Sequence, residues 1–342
     1  MIEGPRGARR QELAAIVQLS NSVFCADGRG DMGRAFPLLF AEENRDNLRI
    51  CLEDGKPVSL VGQTVRDLSL LGARVRVTCI GSVCTDDIHR GKGLASLLVE
   101  DALAVARSQG AVMTLVSGGR GLYRRMGCIN AGLFQAVSVG AQAEPPRLAC
   151  AVRAWKEEDV PILCALQCRE PARFVRSEDE TLRALRSDSV HARPGRTWVV
   201  TMGDAVVAWF SASLTDVLRV KEHAGSRLAV LSGLPRALRD TGLATAEITA
   251  PAADVELATM AAAYGLRTGP RGFDGTVKII DAPALLRALA AEWPTLDVAG
   301  LERVPEQDLA ALLFGSIEHT TGAPTLACPF PLPLPSYGLN YT

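Results

Sequence analysis

One segment of the sequence combines residue types that could bind a phosphate group. It runs from Val83 to Ser96 as VCTDDIHRGKGLAS, an apolar β-type stretch followed by an Arg-Gly-Lys-Gly turn and then by a helical pattern. Backbone amides at the start of a helix can bind phosphate oxygens, and glycines let a ligand approach that backbone closely. The pattern therefore predicts a phosphate-binding turn between a strand and a helix.

Two common phosphate-binding motifs do not fit this turn. A Walker A motif requires Ser or Thr directly after its lysine, whereas Gly93 follows Lys92. The dinucleotide fingerprint Gly-x-Gly-x-x-Gly requires a third glycine where Ser96 stands. A glycine-rich turn that binds no ligand remains open as the alternative.

The same residues resemble the acetyl-CoA motif of the GNAT superfamily of N-acyltransferases. That motif has the form Arg/Gln-x-x-Gly-x-Gly/Ala, and this chain has RGKGLA from Arg90 to Ala95. The resemblance implies that the turn and the helix start hold the pyrophosphate, while the preceding strand pairs with the pantetheine arm. The implied cofactor-binding residues are Val83, Cys84, Thr85, Arg90, Gly91, Lys92, Gly93, Leu94, Ala95 and Ser96.

A second GNAT motif follows further along the chain. Residues 122–128, LYRRMGC, resemble the Tyr-x-x-x-Gly-Phe element that places a tyrosine near the sulfur of acetyl-CoA. In that role Tyr123 would be the general acid, since a phenol with an ordinary pKa of about 10 can protonate a departing thiolate. Cys128 stands where an aromatic residue is usual, which we interpret as a packing change. Without the motif, a core tyrosine whose hydroxyl meets solvent would be the simpler interpretation.

Over nearly its whole length the chain resembles a multidomain GNAT branch similar to the enhanced intracellular survival proteins. Such proteins have an active GNAT domain, a degenerate GNAT-like copy and a C-terminal sterol-carrier-like region. The resemblance implies a catalytic domain over 1–144, a degenerate copy over 147–282, and a truncated C-terminal region with a Pro-rich tail over 283–342. Aligning Gly265 with Gly127 puts Ala261 in the position of Tyr123, so the copy lacks the acid.

The C-terminal residue has an implied role in this branch. There the terminal carboxylate reaches the first domain's active site and accepts, or helps to orient the base that accepts, the proton of the amine. Thr342 would take this position, as a second catalytic group beside Tyr123. Only about 60 residues follow Asp281, fewer than a full sterol-carrier-like domain has, so both the fold of this region and the reach of the carboxylate are left open.

The elements around these motifs predict an α+β fold, with the GNAT fold duplicated in tandem. In the first half the predicted helices are 9–23, 34–44, 93–109 and 122–126, and the predicted strands are 48–52, 58–65, 74–85, 111–116 and 133–139. A helix, a hairpin, a helix, a strand, a helix and a strand then recur between 157 and 280, after the boundary signal Pro145-Pro146. Two unrelated α+β domains are the alternative. The apolar Pro-rich tail is expected to pack back onto the body.

Composition excludes several classes of function. The 37 basic and 38 acidic residues leave a net charge of -1, which predicts no nucleic-acid partner and no anionic membrane surface. Nine cysteines show no Cys-x-x-Cys pair, so neither a metal site nor a disulfide framework is predicted. The first ten residues contain three arginines and no apolar core, which favours a cytoplasmic location over secretion. A homo-oligomer is compatible with the sequence.

These features predict an N-acetyltransferase that moves an acetyl group from acetyl-CoA to a small-molecule or peptide amine by direct attack. Cys84 has no evident histidine base, which argues against a covalent intermediate. The alternatives are a non-catalytic acyl-CoA-binding sensor or scaffold and, more remotely, a docking protein that works through its tail. The identity of the amine is not readable, and Asp31, Glu42 and Glu43, near the expected cleft, are interpreted as solvated.

Overall fold

The computed structural model describes residues 1–28, 30–140, 148–318 and 329–340. In chain order, the strands of these residues are β1 (Ile2–Gly7), β2 (Leu48–Glu53), β3 (Lys56–Leu70), β4 (Ala73–Thr85), β5 (Met113–Val116), β6 (Leu133–Gly140), β7 (Ala151–Ala154), β8 (Ala172–Phe174), β9 (Ser189–Val190), β10 (Arg193–Met202), β11 (Ala205–Leu214), β12 (Leu218–Gly225), β13 (Thr245–Pro251), β14 (Arg267–Gly272) and β15 (Thr276–Ile279). The helices are α1 (Leu13–Phe24), α2 (Met32–Ala35), α3 (Leu94–Ser108), α4 (Gly121–Arg125), α5 (Val160–Gln167), α6 (Glu178–Arg186), α7 (Arg227–Thr241), α8 (Val255–Ala263), α9 (Ala282–Glu292), α10 (Val298–Leu301) and α11 (Glu306–Phe314).

The strands form two sheets built on the same plan. The first has the order β1-β2-β3-β4-β5-β15, with β8 paired to β3, and the second has the order β14-β6-β13-β12-β11-β10-β7, with β9 paired to β10. Each sheet contains an antiparallel meander followed by one parallel pair, β4 with β5 and β12 with β13. A helix, α3 or α7, connects the two parallel strands in each case. The predicted α+β fold with two GNAT-like copies is confirmed.

The two halves exchange their last strands, which the sequence did not reveal. Strand β6 pairs with β13 and β14 in the second sheet, while β15 pairs with β5 in the first. The expected boundaries placed 133–139 with the first half and 275–280 with the second, so the sheet membership of both strands is corrected. The backbone of each of these short apolar strands can form its ladder hydrogen bonds at the edge of either sheet. Contacts with distant parts of the chain determine which sheet the strand joins.

One predicted helix is largely wrong. Instead of a helix over 34–44, the structure has the short helix α2, which ends at Ala35 with Phe36 as its C-cap, and a 3-10 segment over Glu42–Asn47. Pro37 explains the early end, because the residue before a proline is pushed out of the α region, and Phe36 has φ -125° and ψ 62°. Strand β1 and helix α6 were not predicted at all.

The strongest local signals were predicted correctly. Asp54 and Gly55 both have positive φ, 50° and 75°, and form the tight turn between β2 and β3. Helix α3 buries Leu94, Leu98 and Ala102 along one face, and its chain leaves the helix before the left-handed Gly110.

The C-terminal region packs onto the body as expected. Helices α9 and α11 cover the first sheet, and their leucines join a core that also contains the tail residues Leu332, Leu334 and Tyr337. The ring centroid of Tyr337 lies 4.9 Å from that of Phe273. This burial fixes the described part of the tail against both halves of the molecule, so it is not a solvated extension.

None of the helices in the described ranges is long and apolar enough to cross a bilayer. Among the same residues, no three His, Cys, Asp or Glu side chains lie together in a group that could hold a metal ion.

Candidate active site

The end of β4 provides an open strand edge. The parallel pairing of β4 with β5 ends at Ile80 and Val116, although β4 continues to Thr85. Its opposite edge stays paired with β3, where Cys84 faces Leu60 across the ladder. The register of that ladder shifts beside Gly81, and Ser82 has the positive φ of 49°. The strand therefore bends away from β5 and leaves the β5 side of Val83 to Thr85 open to an extended ligand.

The turn that follows β4 is anchored from below by a buried histidine. His89 is 3 % exposed, and its Nε2 lies 2.9 Å from Glu53 Oε2 while its Nδ1 lies 3.3 Å from Asp86 Oδ2. Gly91 and Gly93 have φ values of 77° and 79°, and a Cβ built on either would meet no heavy atom within 4 Å. The His89 contacts thus fix the turn on one side, and the space around Gly91 and Gly93 is open to a ligand.

Helix α3 begins directly after this turn without a side-chain cap. Gly93 is the N-cap residue, and no side chain of the described residues accepts a hydrogen bond from the first turn of the helix. The first amides of a helix have no partner within the helix, and the helix dipole favours negative charge there. Leu94, Ala95 and Ser96 therefore present their amides at a site that suits an anion. Arg90 is held beside it, with Nε 3.3 Å from the Thr85 carbonyl oxygen and an ion pair of 2.7 Å to Asp87.

Cys84 is not placed as a nucleophile. Its side chain is 4 % exposed and packs in the core cluster that contains residues of α1. Burial raises the pKa of this thiol to about 12, so the reactive thiolate is suppressed. Its backbone pairs with Leu60 of β3.

Tyr123 lies on α4 and is 7 % exposed. Its ring packs in the cluster that contains Leu98 and Cys128, and its backbone carbonyl accepts a hydrogen bond of 2.9 Å from the Cys128 amide. Cys128 is buried there as a small apolar side chain, and burial raises the pKa of its thiol to about 11. The motif thus folds into a short helix, and the hydrogen bond from the Cys128 amide to the Tyr123 carbonyl helps to orient Tyr123.

Tyr123 borders a cavity of about 540 Å³, which we call the interdomain cavity. Its walls come from α1 and α2, from the open end of β4, from the residues before α4, and from the β9–β10 turn of the second half. The lining residues are Val23, Phe24, Cys25, Ala26, Asp27, Gly30, Asp31, Met32, Ala35, Phe36, Gly81, Ser82, Val83, Ser117, Gly118, Arg120, Tyr123, His191, Ala192 and Arg193. Val83 and Tyr123, from two separate motifs, therefore meet at one cavity.

The three acidic residues that we interpret as solvated are all exposed, and each also has a polar partner. Asp31 lines the interdomain cavity and caps α2 through the Gly33 amide at 2.8 Å. Glu42 pairs with Arg10 at 3.2 Å, and Glu43 pairs with Arg183 of the second half. They therefore act in capping and ion pairing, and Asp31 also contributes charge to the cavity.

Thr342 falls outside the described residues. The last described residues of the tail, Leu339 and Asn340, border a small cavity together with Ala35 and Phe36. Both Ala35 and Phe36 also line the interdomain cavity. The tail therefore runs up to the wall of that cavity.

Sequence reasoning missed the contribution of the second half to this cavity. His191 and Ala192, with φ of 57° and 58°, form the two-residue turn that carries Arg193. Such turns are usually signalled by Asn or Gly, and neither is present, so the turn could not be recognised. Burial, followed by the charge of Lys221, lowers the pKa of His191 to about 3, although Asp274 opposes this, and the imidazole is therefore neutral at pH 7.

The corresponding turn of the second copy is filled by the protein itself. Arg227, the first residue of α7, donates to Asp254 at 2.8 Å and to Glu170 at 2.9 Å. Glu170 also accepts the Gly225 amide at 3.0 Å, and Glu256 accepts the Arg227 amide at 3.3 Å. Carboxylates of the chain thus occupy the helix start that an anionic ligand would need.

Comparison with known proteins agrees with this geometry. Residues 5–130 match the family model described as an acetyltransferase (GNAT) domain. No curated protein matches the chain by sequence.

Similar folds occur among solved structures of acyltransferases. A GCN5-related N-acetyltransferase from Anabaena variabilis matches with a TM-score of 0.64 at 14% identity, over 84% of this chain and 75% of that one. Eis1 from Mycobacterium abscessus matches with a TM-score of 0.57 at 16% identity, over 84% and 75%. The N-myristoyltransferase of Saccharomyces cerevisiae with bound myristoyl-CoA matches with a TM-score of 0.51 at 12% identity, over 79% and 76%.

At these identities the likeness concerns the fold, and it spans both halves of the chain. The family match covers the region that carries β4, the glycine turn, α3 and Tyr123. Residues 5–130 therefore match an acetyltransferase (GNAT) domain, and the chain has a tandem GNAT fold.

Proposed function

We propose that this protein is an N-acetyltransferase that uses acetyl-CoA and acetylates a primary amine bound in the interdomain cavity. The observation that carries the proposal is the meeting of three features in the first half. The end of β4 and Tyr123 both border the cavity, and the uncapped helix start follows β4 in the chain through the glycine turn.

Each part of acetyl-CoA has a complementary surface on this path. The pyrophosphate would bind the amides from Gly91 to Ser96, where the helix dipole and the missing cap favour an anion. The pantetheine arm would pair with the backbone of Val83 to Thr85 beside the end of β5. This arrangement brings the thioester to the side of the cavity that Val83 and Tyr123 share.

The reaction needs no covalent enzyme intermediate. The neutral amine attacks the thioester carbonyl, a nitrogen–carbon bond forms, and the carbon–sulfur bond breaks as the tetrahedral intermediate collapses. Tyr123 gives its phenolic proton to the departing sulfur, while the amine loses one proton to a base. The proton returns to the phenolate through solvent, which leaves an N-acetyl amine and CoA with a free thiol.

The terminal carboxylate of Thr342 is our candidate for the base or for its orienting partner. Asn340 borders a cavity that shares Ala35 and Phe36 with the interdomain cavity. Two further residues add roughly 7 Å of reach in an extended chain. The described part of the tail is held in place by the buried side chains of Leu334 and Tyr337.

A non-catalytic acyl-CoA sensor or scaffold is the competing function. Both proteins would bind acetyl-CoA, but only the enzyme would release CoA in the presence of an amine. The Tyr123→Phe variant keeps the buried ring and removes the proton donor. We expect it to bind acetyl-CoA normally while kcat falls about 10²–10⁴-fold, the usual contribution of a general acid.

The control is Tyr264→Phe, because Tyr264 is 46 % exposed and lies beyond the cavity-lining residues. CoA release by the wild type and by Tyr264→Phe, but not by Tyr123→Phe, supports the enzyme with Tyr123 as its acid. Normal binding without CoA release by any of the three proteins, over a broad panel of amines, would favour the sensor.

A further inference from the structure

Two arginines in the wall of the interdomain cavity have no ion-pair partner among the described residues. Arg120 is the N-cap residue of α4, three residues before Tyr123, and Arg193 begins β10 in the second half. Both side chains line the cavity and are exposed. Elsewhere in the second half Arg176, Arg186 and Arg227 are all engaged by carboxylates.

The position of Arg193 is maintained at an energetic cost. Its turn places His191 and Ala192 in the left-handed region, which residues with a Cβ adopt reluctantly. The turn is held from both sides, since Asp188 pairs with Arg34 of α2 at 3.7 Å and the His191 ring centroid lies 6.2 Å from that of Tyr337. Strained backbone that packing over-determines is typical of sites that position a functional group.

The opposite charge is also present in the cavity wall. Asp27 and Asp31 both line it, and their charges, after the larger effect of burial, raise the pKa of the neighbouring Cys25 thiol. His191 adds no charge at neutral pH, because its pKa is lowered to about 3 by burial and by Lys221. Among the described residues, the wall therefore carries two carboxylates and two guanidinium groups, which suits a ligand with both a cationic and an anionic group.

We infer, on the basis of the proposed function, that the acceptor is a small primary amine that also carries an acidic group. Arg193 and Arg120 bind the acidic group and thereby select the acceptor. A guanidinium presents paired donors that match the oxygens of a carboxylate or a phosphate, so either group fits this chemistry. The second half of the molecule then contributes to acceptor specificity through Arg193, although the chemistry takes place in the first half.

The test compares acceptors that differ only in the acidic group. Lysine and cadaverine differ by a carboxylate, and phosphoethanolamine and ethanolamine differ by a phosphate. Release of CoA is measured for each amine with the wild type, with Arg193→Gln and with Arg239→Gln. Arg239 is an exposed arginine on α7 that does not line the cavity, so it controls for the loss of one positive charge.

We expect kcat/KM to favour the acidic member of at least one pair by about tenfold or more, as for a charge-assisted hydrogen bond. The pair that shows the preference identifies the acidic group. Arg193→Gln should lower kcat/KM for the acidic member about tenfold and leave its uncharged counterpart unchanged, whereas Arg239→Gln should change neither.

Equal or better use of the uncharged member in both pairs would overturn the inference and leave acetyl transfer in place. An Arg193→Gln variant that slowed both members equally would also overturn it. Acetyl-CoA binding without transfer to any amine would instead contradict the proposed function, and this inference with it.

Discussion

The starts of α3 and α7 occupy equivalent places in the two copies, and they differ in what lies against their amides. At α3 the N-cap is Gly93, which has no side chain to cap the first turn. At α7 the side chain of Ser226 accepts the Ala229 amide, Glu256 accepts the Arg227 amide, and the Arg227 side chain lies between Glu170 and Asp254. One helix start is open to an external anion, and the other is already satisfied by the chain.

The strand edges beside these helices differ in the same way. In both copies the parallel pair ends early, at Ile80 with Val116 and at Val220 with Ile248. In the first copy this leads into the interdomain cavity of about 540 Å³. In the second copy the cavity is only about 180 Å³, and tail residues Pro333, Pro335, Ser336 and Asn340 form part of its wall.

The comparison shows how a duplicated fold can divide its tasks. A helix start whose amides bind internal carboxylates stabilises the fold, because buried polar groups without partners are costly. A helix start whose amides have no internal partner gains no such stabilisation from the chain. A bound ligand could supply the missing hydrogen bonds. In our proposal the first copy binds acetyl-CoA, and the second copy has no comparable open helix start.

The largest effect is expected from breaking the internal ion pairs of the second copy. Arg227 is 8 % exposed, and Arg227→Met removes the cation that compensates Glu170 and Asp254. Leaving buried carboxylates unpaired should lower the free energy of unfolding by about 3–5 kcal/mol. Urea unfolding measures this, with Arg239→Met on the exposed side of the same helix as the control. Equal stability of the two variants would show that α7 does not depend on internal charge.

A smaller effect is expected from the pH dependence of Asp254. Burial alone would raise its pKa, but His223, whose Nε2 lies 3.5 Å from Asp254 Oδ2, and the charge of Arg227 lower it to about 2. Because this pKa lies below the unfolded value, the stabilisation is present above about pH 4 and is lost as the pH falls toward 2. It amounts to about 2 kcal/mol.

The check on Asp254 is urea unfolding at several acidic pH values. Asp254→Asn should lack this part of the pH dependence, whereas Asp297→Asn, which alters the N-cap of α10, should keep it. Parallel pH profiles for the wild type and Asp254→Asn would contradict the assigned ion pair.

The smallest effect should come from Lys92, the charged side chain within the open turn. Lys92 is exposed, and in our account the backbone amides carry the phosphate. Lys92→Gln should therefore weaken acetyl-CoA binding only about two- to fivefold, as expected for one solvated charge. Titration at low and high salt measures this. A hundredfold or greater loss of acetyl-CoA affinity would show that the Lys92 side chain, and not the backbone, binds the phosphate.

The sequence predicted those elements that local chemistry determines. The Asp54-Gly55 turn, helix α3 and the strand before it carry signals in their own residues, and the structure has each of them. The motif around Tyr123 likewise folds locally into a helix, with a hydrogen bond from the Cys128 amide back to the Tyr123 carbonyl.

The features that escaped prediction depend on residues distant in the chain. The exchange of β6 and β15 depends on which sheet edge is available to each strand. The alternation of apolar and polar residues within the strands does not indicate that edge. Helix α7 was expected from its pattern, but the pairing of Arg227 with Glu170 joins positions 57 residues apart. Arg193 reaches the cavity only because a turn without Asn or Gly is held by contacts with Arg34 and Tyr337.

The central claim is that the chain binds acetyl-CoA at the start of α3 and not at the start of α7. Calorimetric titration of wild type, Gly93→Glu and Gly203→Glu tests it. Both glycines have positive φ, 79° and 56°, with no heavy atom within 4 Å of a built Cβ, but Gly203 lies in the β10–β11 turn far from the site. The account predicts one acetyl-CoA per chain for the wild type and for Gly203→Glu, and no binding for Gly93→Glu, whose carboxylate would repel the pyrophosphate. Undiminished binding by Gly93→Glu, or two molecules bound per chain, would contradict it.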